Sequence, residues 1–190
     1  MTSDVRILMI SGSTRAASTN TAALRAANAI DDEHITTVLY DGLSDLPAFN
    51  PDDDADPLPP TVSELRAQIA AADGVLFCTP EYAGGLPGSF KNLLDWTVGG
   101  AEMYRKPVAW ISVAPEGRGN HADTSLRTVL GYVGTTIIEP AGTRVTVARA
   151  DLDPDGRVVS SAVRARLQDV VRAFAEGVRT TSSAPDRQPT

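Results

Sequence analysis

A doubly wound α/β domain on a five-stranded parallel sheet is the fold this sequence predicts, and three observations lead to it. Short, mostly apolar runs recur at Val5 to Ile10, Val75 to Cys78 and Val108 to Val113, each followed by turn-forming residues. Runs of that kind read as strands buried on both faces, as in a parallel sheet. Segments with helical spacing lie between them, and alternation of strand and helix favours right-handed crossovers. A chain of 190 residues, 42% hydrophobic and 22% charged, is the right size for one domain around one continuous core.

Taken in order, the strand at Val5 to Ile10 leads into an alanine-rich helix over Thr21 to Ile30, and a weaker strand follows at His34 to Leu39. Asp41 to Pro60 carries Asp52, Asp53, Asp54 and Asp56 among prolines and shows no apolar period. It reads as a solvated loop, because the central glycine and terminal glutamate of a calcium hand are missing. Thr61-x-x-Glu64 has the pattern of a capping box, opening a helix with Leu65, Ile69 and Ala72 on one face. After the strands at Val75 and Val108, a fifth is expected around Thr143 to Val147. Val163, Leu167, Val171, Phe174 and Val178 then place a closing helix over Ser160 to Val178. The polar stretch Arg179 to Thr190 reads as a disordered tail, which assigns residues 1–178 to a single domain.

Composition excludes several classes. A formal charge of -7 with no basic run among aromatics argues against a nucleic-acid partner. Cys78 is the single cysteine; no intrachain disulfide can form, and its apolar neighbours mark a buried thiol. The first apolar run is far shorter than the ~20 residues of a membrane span and lacks the flanks of a signal peptide, so neither membrane insertion nor secretion is expected, and the location expected is cytoplasmic. His34 and His121 are the only histidines, a poor basis for a metal site.

Two loops carry the chemistry. Ser11 to Thr21 packs seven hydroxyl or amide side chains and Arg15 into eleven residues between a strand and a helix. A helix N-terminus offers free N–H groups and a positive dipole end, and a guanidinium fork grips phosphate oxygens, so this loop is suited to an anion. A structural alternative is that Ser18 or Thr19 simply caps the helix. The spacing is neither that of a Walker loop nor Gly-x-Gly-x-x-Gly. The stretch Thr79 to Trp96 holds two prolines and three glycines just after a strand, an arrangement that reads equally as a rigid turn or as a loop approached by a flat ligand. In a sheet of order 2-1-3-4-5 both loops face one pocket at the switch point.

Gly-Ser-x-Arg-x-x-Ser-x-Asn at 12–20, together with Pro-Glu-Tyr-x-x-x-x-Pro-Gly-x-x-Lys-Asn-x-x-Asp-Trp at 80–96, resembles the NADPH-dependent FMN reductase family, which includes quinone, azo-dye and chromate reductases. The likeness extends over roughly residues 5 to 178. It implies a flavodoxin-like fold with FMN as cofactor and NADPH or NADH as electron donor. Ser13, Arg15, Ser18, Asn20 and Thr21 would receive the ribityl phosphate, and Pro80, Glu81, Tyr82, Ala83, Gly84 and Gly85 the isoalloxazine. Ala114, Pro115 and Gly117 would line the flavin from the other side. Ala83 departs from the family, many of whose members carry Asn there. The resemblance further implies a small-molecule electron acceptor, such as a quinone, free flavin, a nitro or azo compound or a metal oxyanion, and a homodimer or homotetramer. No catalytic acid or nucleophile is assigned, because the flavin carries the reaction.

Three other readings compete: a flavodoxin-type electron carrier, a non-catalytic flavin-binding regulator, and a classical dehydrogenase using Gly117 to Ala122, which match Gly-x-Gly-x-x-Ala. That fingerprint belongs after the first strand of its unit, and here the first strand ends in the better phosphate loop. Leu93 to Tyr104 is apolar and partly loop-like, so Met103 and Tyr104 are expected near the surface as interface residues.

Overall fold

The computed structural model describes residues 3–140 and 143–183. Among the described residues five strands form a parallel sheet in the order β2-β1-β3-β4-β5, flanked by five α-helices. They run β1 (Val5–Ser11), α1 (Thr19–Asn28), β2 (Ile35–Tyr40), α2 (Pro60–Ala70), β3 (Gly74–Cys78), α3 (Gly88–Asp95), β4 (Pro107–Ile111), α4 (Asn120–Val133), β5 (Thr136–Ile137) and α5 (Ser161–Ser183). Leu8 of β1 lies opposite both Val38 and Val75, and Phe77 of β3 opposite Trp110. Successive strand residues point to opposite faces, and here both faces are apolar. Ile7, Met9, Leu76 and Ala109 pack with α1 and α5, and Leu8, Ile10, Val75, Phe77 and Val108 pack with α2, α3 and α4. This is the flavodoxin-like doubly wound architecture, with the carboxyl ends of β1 and β3 side by side at its switch point.

Several boundaries differ from expectation, each for a physical reason. Helix α1 opens at Thr19, two residues early, because Ser18 caps it and its Oγ accepts from the N–H of Thr21. The capping box at Thr61 does not form. Pro59 and Pro60 already preset the dihedrals for helix entry, so Thr61 lies inside α2, and Glu64 accepts from Gln68 instead. The fifth strand position is filled in two pieces. β5 itself is only Thr136–Ile137, paired with Pro107 and Val108. The stretch expected as the strand, 143–147, joins further along, where Ser112 N–H donates to Thr143 O and Val145 N–H to Ser112 O. Helix α5 continues to Ser183, so residues 179–183 are helical rather than tail; the remainder of the expected tail, 184–190, lies outside the described residues.

The acidic loop at 41–60 is also more ordered than its composition suggests. Asn92 accepts from Phe49 N–H and donates to Pro47 O, and Trp96 Nε1 donates to the same carbonyl. Arg66, 8% exposed, donates to Trp96 O and to Asp54 at 2.6 Å. The Lys-Asn-x-x-Asp-Trp segment therefore anchors this loop through Asn92 and Trp96. Met103 is 1% exposed and belongs to the core, contrary to expectation, whereas Tyr104 is 68% exposed. Among the described residues no helix is long and apolar enough to cross a membrane.

Candidate functional site

The loop from β1 to α1 is drawn tightly against β3. Gly12 N–H donates to Cys78 O, and a Cβ on Gly12 would fall 2.3 Å from Thr79 Oγ1 and 2.9 Å from the Phe90 ring, so only glycine fits. Of the five residues expected at a phosphate, three turn their side chains into the fold. Ser18 caps α1, Asn20 Oδ1 accepts from the Cys78 thiol at 3.3 Å, and Thr21 pairs with Ser11 at 2.7 Å. Ser13 Oγ accepts from Arg15 N–H, and Arg15 itself is exposed. Thr19 and Asn20 occupy the first helical positions, where backbone N–H groups have no intrahelical acceptor, and the first turn holds no acidic residue. The positive end of α1 is thus open to an anion, with Arg15 beside it.

After β3, Tyr82 and Gly85 exchange two backbone hydrogen bonds of 3.0 Å around Ala83 and Gly84. Both central residues have positive φ, 50° and 74°, the signature of a tight primed turn. Glu81 is directed elsewhere. Its Oε2 accepts from the N–H groups of His121 at 3.0 Å and Ala122 at 3.3 Å, capping α4 from another loop. The N-cap position of α4 is Gly119, in the left-handed region and without a capping side chain. A carboxylate at that helix end is favourable both as a hydrogen-bond acceptor and against the dipole. It also occupies two N–H groups that a pyrophosphate at Gly117 to Ala122 would need, which counts against the dinucleotide fingerprint.

The loop from β4 to α4 supplies the opposite wall. A cleft of ≈660 Å³ is lined by Asn20, Pro80, Glu81, Ala114, Pro115 and Gly117 of the expected residues, joined by Thr19, Ser112, Arg118 and His121. A neighbouring cleft of ≈790 Å³ is lined by Arg15, Ala16, Ala17 and Thr19 and by Arg149 and residues 152–156, sharing Thr19 with the first. Neither is lined by Ser13, Ser18, Thr21 or Tyr82 to Gly85. Arg144 was not legible as a site residue, since it sits on the weakly patterned stretch after β5. Its guanidinium nevertheless holds the β4–α4 loop together, donating to Ala114 O, Pro115 O and Arg118 O and to the side chains of Asn120 and Asp123. Burial pushes the Asp123 carboxyl above its ordinary pKa, with Arg144 opposing the shift. Burial likewise pushes the Cys78 thiol up, away from reactivity. No cluster of His, Cys, Asp and Glu among the described residues could hold a metal ion.

The residues fit a flavin mononucleotide. The positive end of α1, with no acidic residue in its first turn, adjoins a cleft of suitable volume, and a Cβ built at Gly84 or Gly117 would meet nothing within 4 Å, so both turns present bare backbone to open space. The fold defines a flavodoxin-like protein with the polar loop after β1 at its switch point. A profile of the NADPH-dependent FMN reductase family matches residues 5–146, and the chain belongs to that family. It is 32% identical to an NAD(P)H-dependent FMN reductase of Pseudomonas aeruginosa, over 94% of this chain and 98% of that one. A 2-hydroxy-1,4-benzoquinone reductase of Burkholderia is 30% identical over 92% of this chain and 97% of its own. Among solved structures, the flavoenzyme NAD(P)H:(acceptor) oxidoreductase FerB of Paracoccus denitrificans superposes with a TM-score of 0.78 at 29% identity, over 93% of this chain and 98% of that one.

Proposed function

We propose that this protein is an FMN-dependent oxidoreductase that takes a hydride from NADPH or NADH and passes two electrons to a quinone, free flavin or another small acceptor. The single observation that carries the reading is the open N-terminus of α1, free of acidic residues and flanked by Arg15, set against a cleft between the β3 and β4 loops. Bound FMN supplies reversible two-electron chemistry at its ring. For a quinone the balance is NAD(P)H plus one proton plus quinone, giving NAD(P)⁺ and the hydroquinone. The protein's part is to hold the phosphate at α1, to present the backbone of Pro80 to Gly85 and of Ala114 to Gly117 to the ring, and to keep one face open for donor and acceptor in turn.

Purified protein should be yellow, with a band at about 450 nm, and should oxidise NADPH or NADH when a quinone is added. Retained FMN without turnover of either nucleotide would move the protein to the flavodoxin-type carriers, and absence of flavin binding would reject the reading. Pyridine nucleotides are cytoplasmic reductants, which supports a cytoplasmic location. Assembly as a homodimer or homotetramer is supported by the surface: Val98, Tyr104 and Tyr132 are 63%, 68% and 92% exposed, and exposed aromatics are enriched at interface centres. Tyr104 lies over Gly134 at the end of α4, so the 97–104 loop and that helix share one surface.

A further inference from the structure

We propose that Arg144 is a positioning residue for the flavin ring, acting by holding the β4–α4 loop with its carbonyl oxygens turned from the cleft. The inference rests on the flavin reading above and concerns a residue that does not line the cleft itself. One guanidinium nitrogen donates to Ala114 O at 3.3 Å, Pro115 O at 3.3 Å and Arg118 O at 2.9 Å. The other donates to Asn120 Oδ1 at 3.1 Å and Asp123 Oδ2 at 3.3 Å. A planar fork serves several acceptors in a fixed geometry, which a lysine ammonium cannot do.

Other contacts hold the two ends of the loop: Thr146 Oγ1 also donates to Ala114 O at 3.3 Å, and Glu81 holds the N–H groups of His121 and Ala122. Gly117 and Gly119 have φ of 78° and 81°, and its internal backbone bonding includes Arg118 N–H to Pro115 O at 3.1 Å. Arg144 itself is well anchored. Its neighbour Val145 is 0% exposed, its carbonyl accepts from Arg166, and it bridges to Ser112 at the end of β4. Across a trans peptide the N–H points opposite to the carbonyl. Drawing the oxygens of Pro115 and Arg118 onto Arg144 therefore turns the N–H groups of Glu116 and Gly119 away from Arg144, and Gly119 lines the cleft whereas Arg144 does not. Preset donors cost no reorganisation when a polar ring edge arrives.

The test compares flavin binding to apoprotein of wild type, Arg144→Gln and Arg144→Lys, using FMN and riboflavin separately. Both variants should lose affinity by about tenfold, and by the same factor for the two flavins, because the lost contacts are to the ring and not to the phosphate. The midpoint potential of bound FMN should become more negative in Arg144→Lys although the charge is kept, a change that a merely structural role would not cause. If Arg144→Gln does not fold, Arg144→Lys carries the same measurements. Unchanged riboflavin affinity, a loss confined to FMN, or an unchanged potential would each overturn the proposal. Wild-type protein that binds neither flavin would overturn the cofactor reading along with it, whereas normal binding by wild type and variants alike sinks the Arg144 inference alone.

Discussion

Arg15 and its neighbours show how a polar loop divides its labour. Ser18, Asn20 and Thr21 shape the loop with their side chains, so a phosphate bound there as proposed would meet chiefly backbone N–H groups of α1 and the guanidinium of Arg15. Arg15 forms no ion pair among the described residues and is exposed. Replacing it with Ala should weaken FMN binding by roughly 1.5–3 kcal/mol, the range of a charge-assisted hydrogen bond, and leave riboflavin affinity unchanged; titration of the apoprotein with both ligands reads this directly. Asp123 bears on pH. Burial raises its pKa in the folded state, so the folded protein keeps the proton to higher pH than the unfolded chain. Its contribution to stability accordingly falls as pH climbs from the ordinary aspartate range through the raised value, and is level above it. Asp123→Asn should flatten that part of a plot of urea midpoint against pH, and a plot unchanged by the substitution would contradict the assignment.

At the scale of elements, loops borrow from one another what their own residues lack. Helix α4 has a glycine at its N-cap and takes its cap from Glu81 on the β3 loop. Glu81→Ala should therefore destabilise the fold by about 0.5–2 kcal/mol, the usual cost of a lost cap, seen as a lower denaturation midpoint in apoprotein as well as holoprotein. The primed turn at Ala83 and Gly84 makes a different demand. Space around Gly84 is open, but its φ of 74° makes a branched residue costly by roughly 1–2 kcal/mol. Gly84→Val should keep its far-ultraviolet circular dichroism while losing flavin affinity; unfolding would mark the turn as structural only. The elements with clear periodicity were legible in sequence, because strands buried on both faces have continuous apolar runs and α5 carries its stripe of Val, Leu and Phe. The fifth strand was misplaced because two residues, Thr136–Ile137, leave no pattern to detect.

For the whole molecule, assembly is the property most open to test. Tyr104 and Tyr132 lie exposed, while Met103, next in sequence to Tyr104, is buried. Tyr104→Asp should shift the protein toward monomer and lower its turnover, whereas wild type should sediment at no less than twice the chain mass. A wild-type monomer that turns over NAD(P)H would refute the assembly and leave the cofactor reading intact.

Taken by itself, the sequence determined the doubly wound sheet, the polar loop between β1 and α1 and the family to which the chain belongs. These depend on local signals: apolar runs, a helix start dense in hydroxyls, and two motifs at a set separation. Only the tertiary structure decided which side chains of those motifs brace the fold. It turned Ser18, Asn20 and Thr21 inward, sent Glu81 to the end of α4, and gave Asn92 and Trp96 to the 41–60 loop. It also brought Arg144 to a loop about thirty residues earlier in the chain. Such partners are unreadable in sequence because a hydrogen bond depends on where two atoms meet in space. Residue type records only that a donor or an acceptor is available.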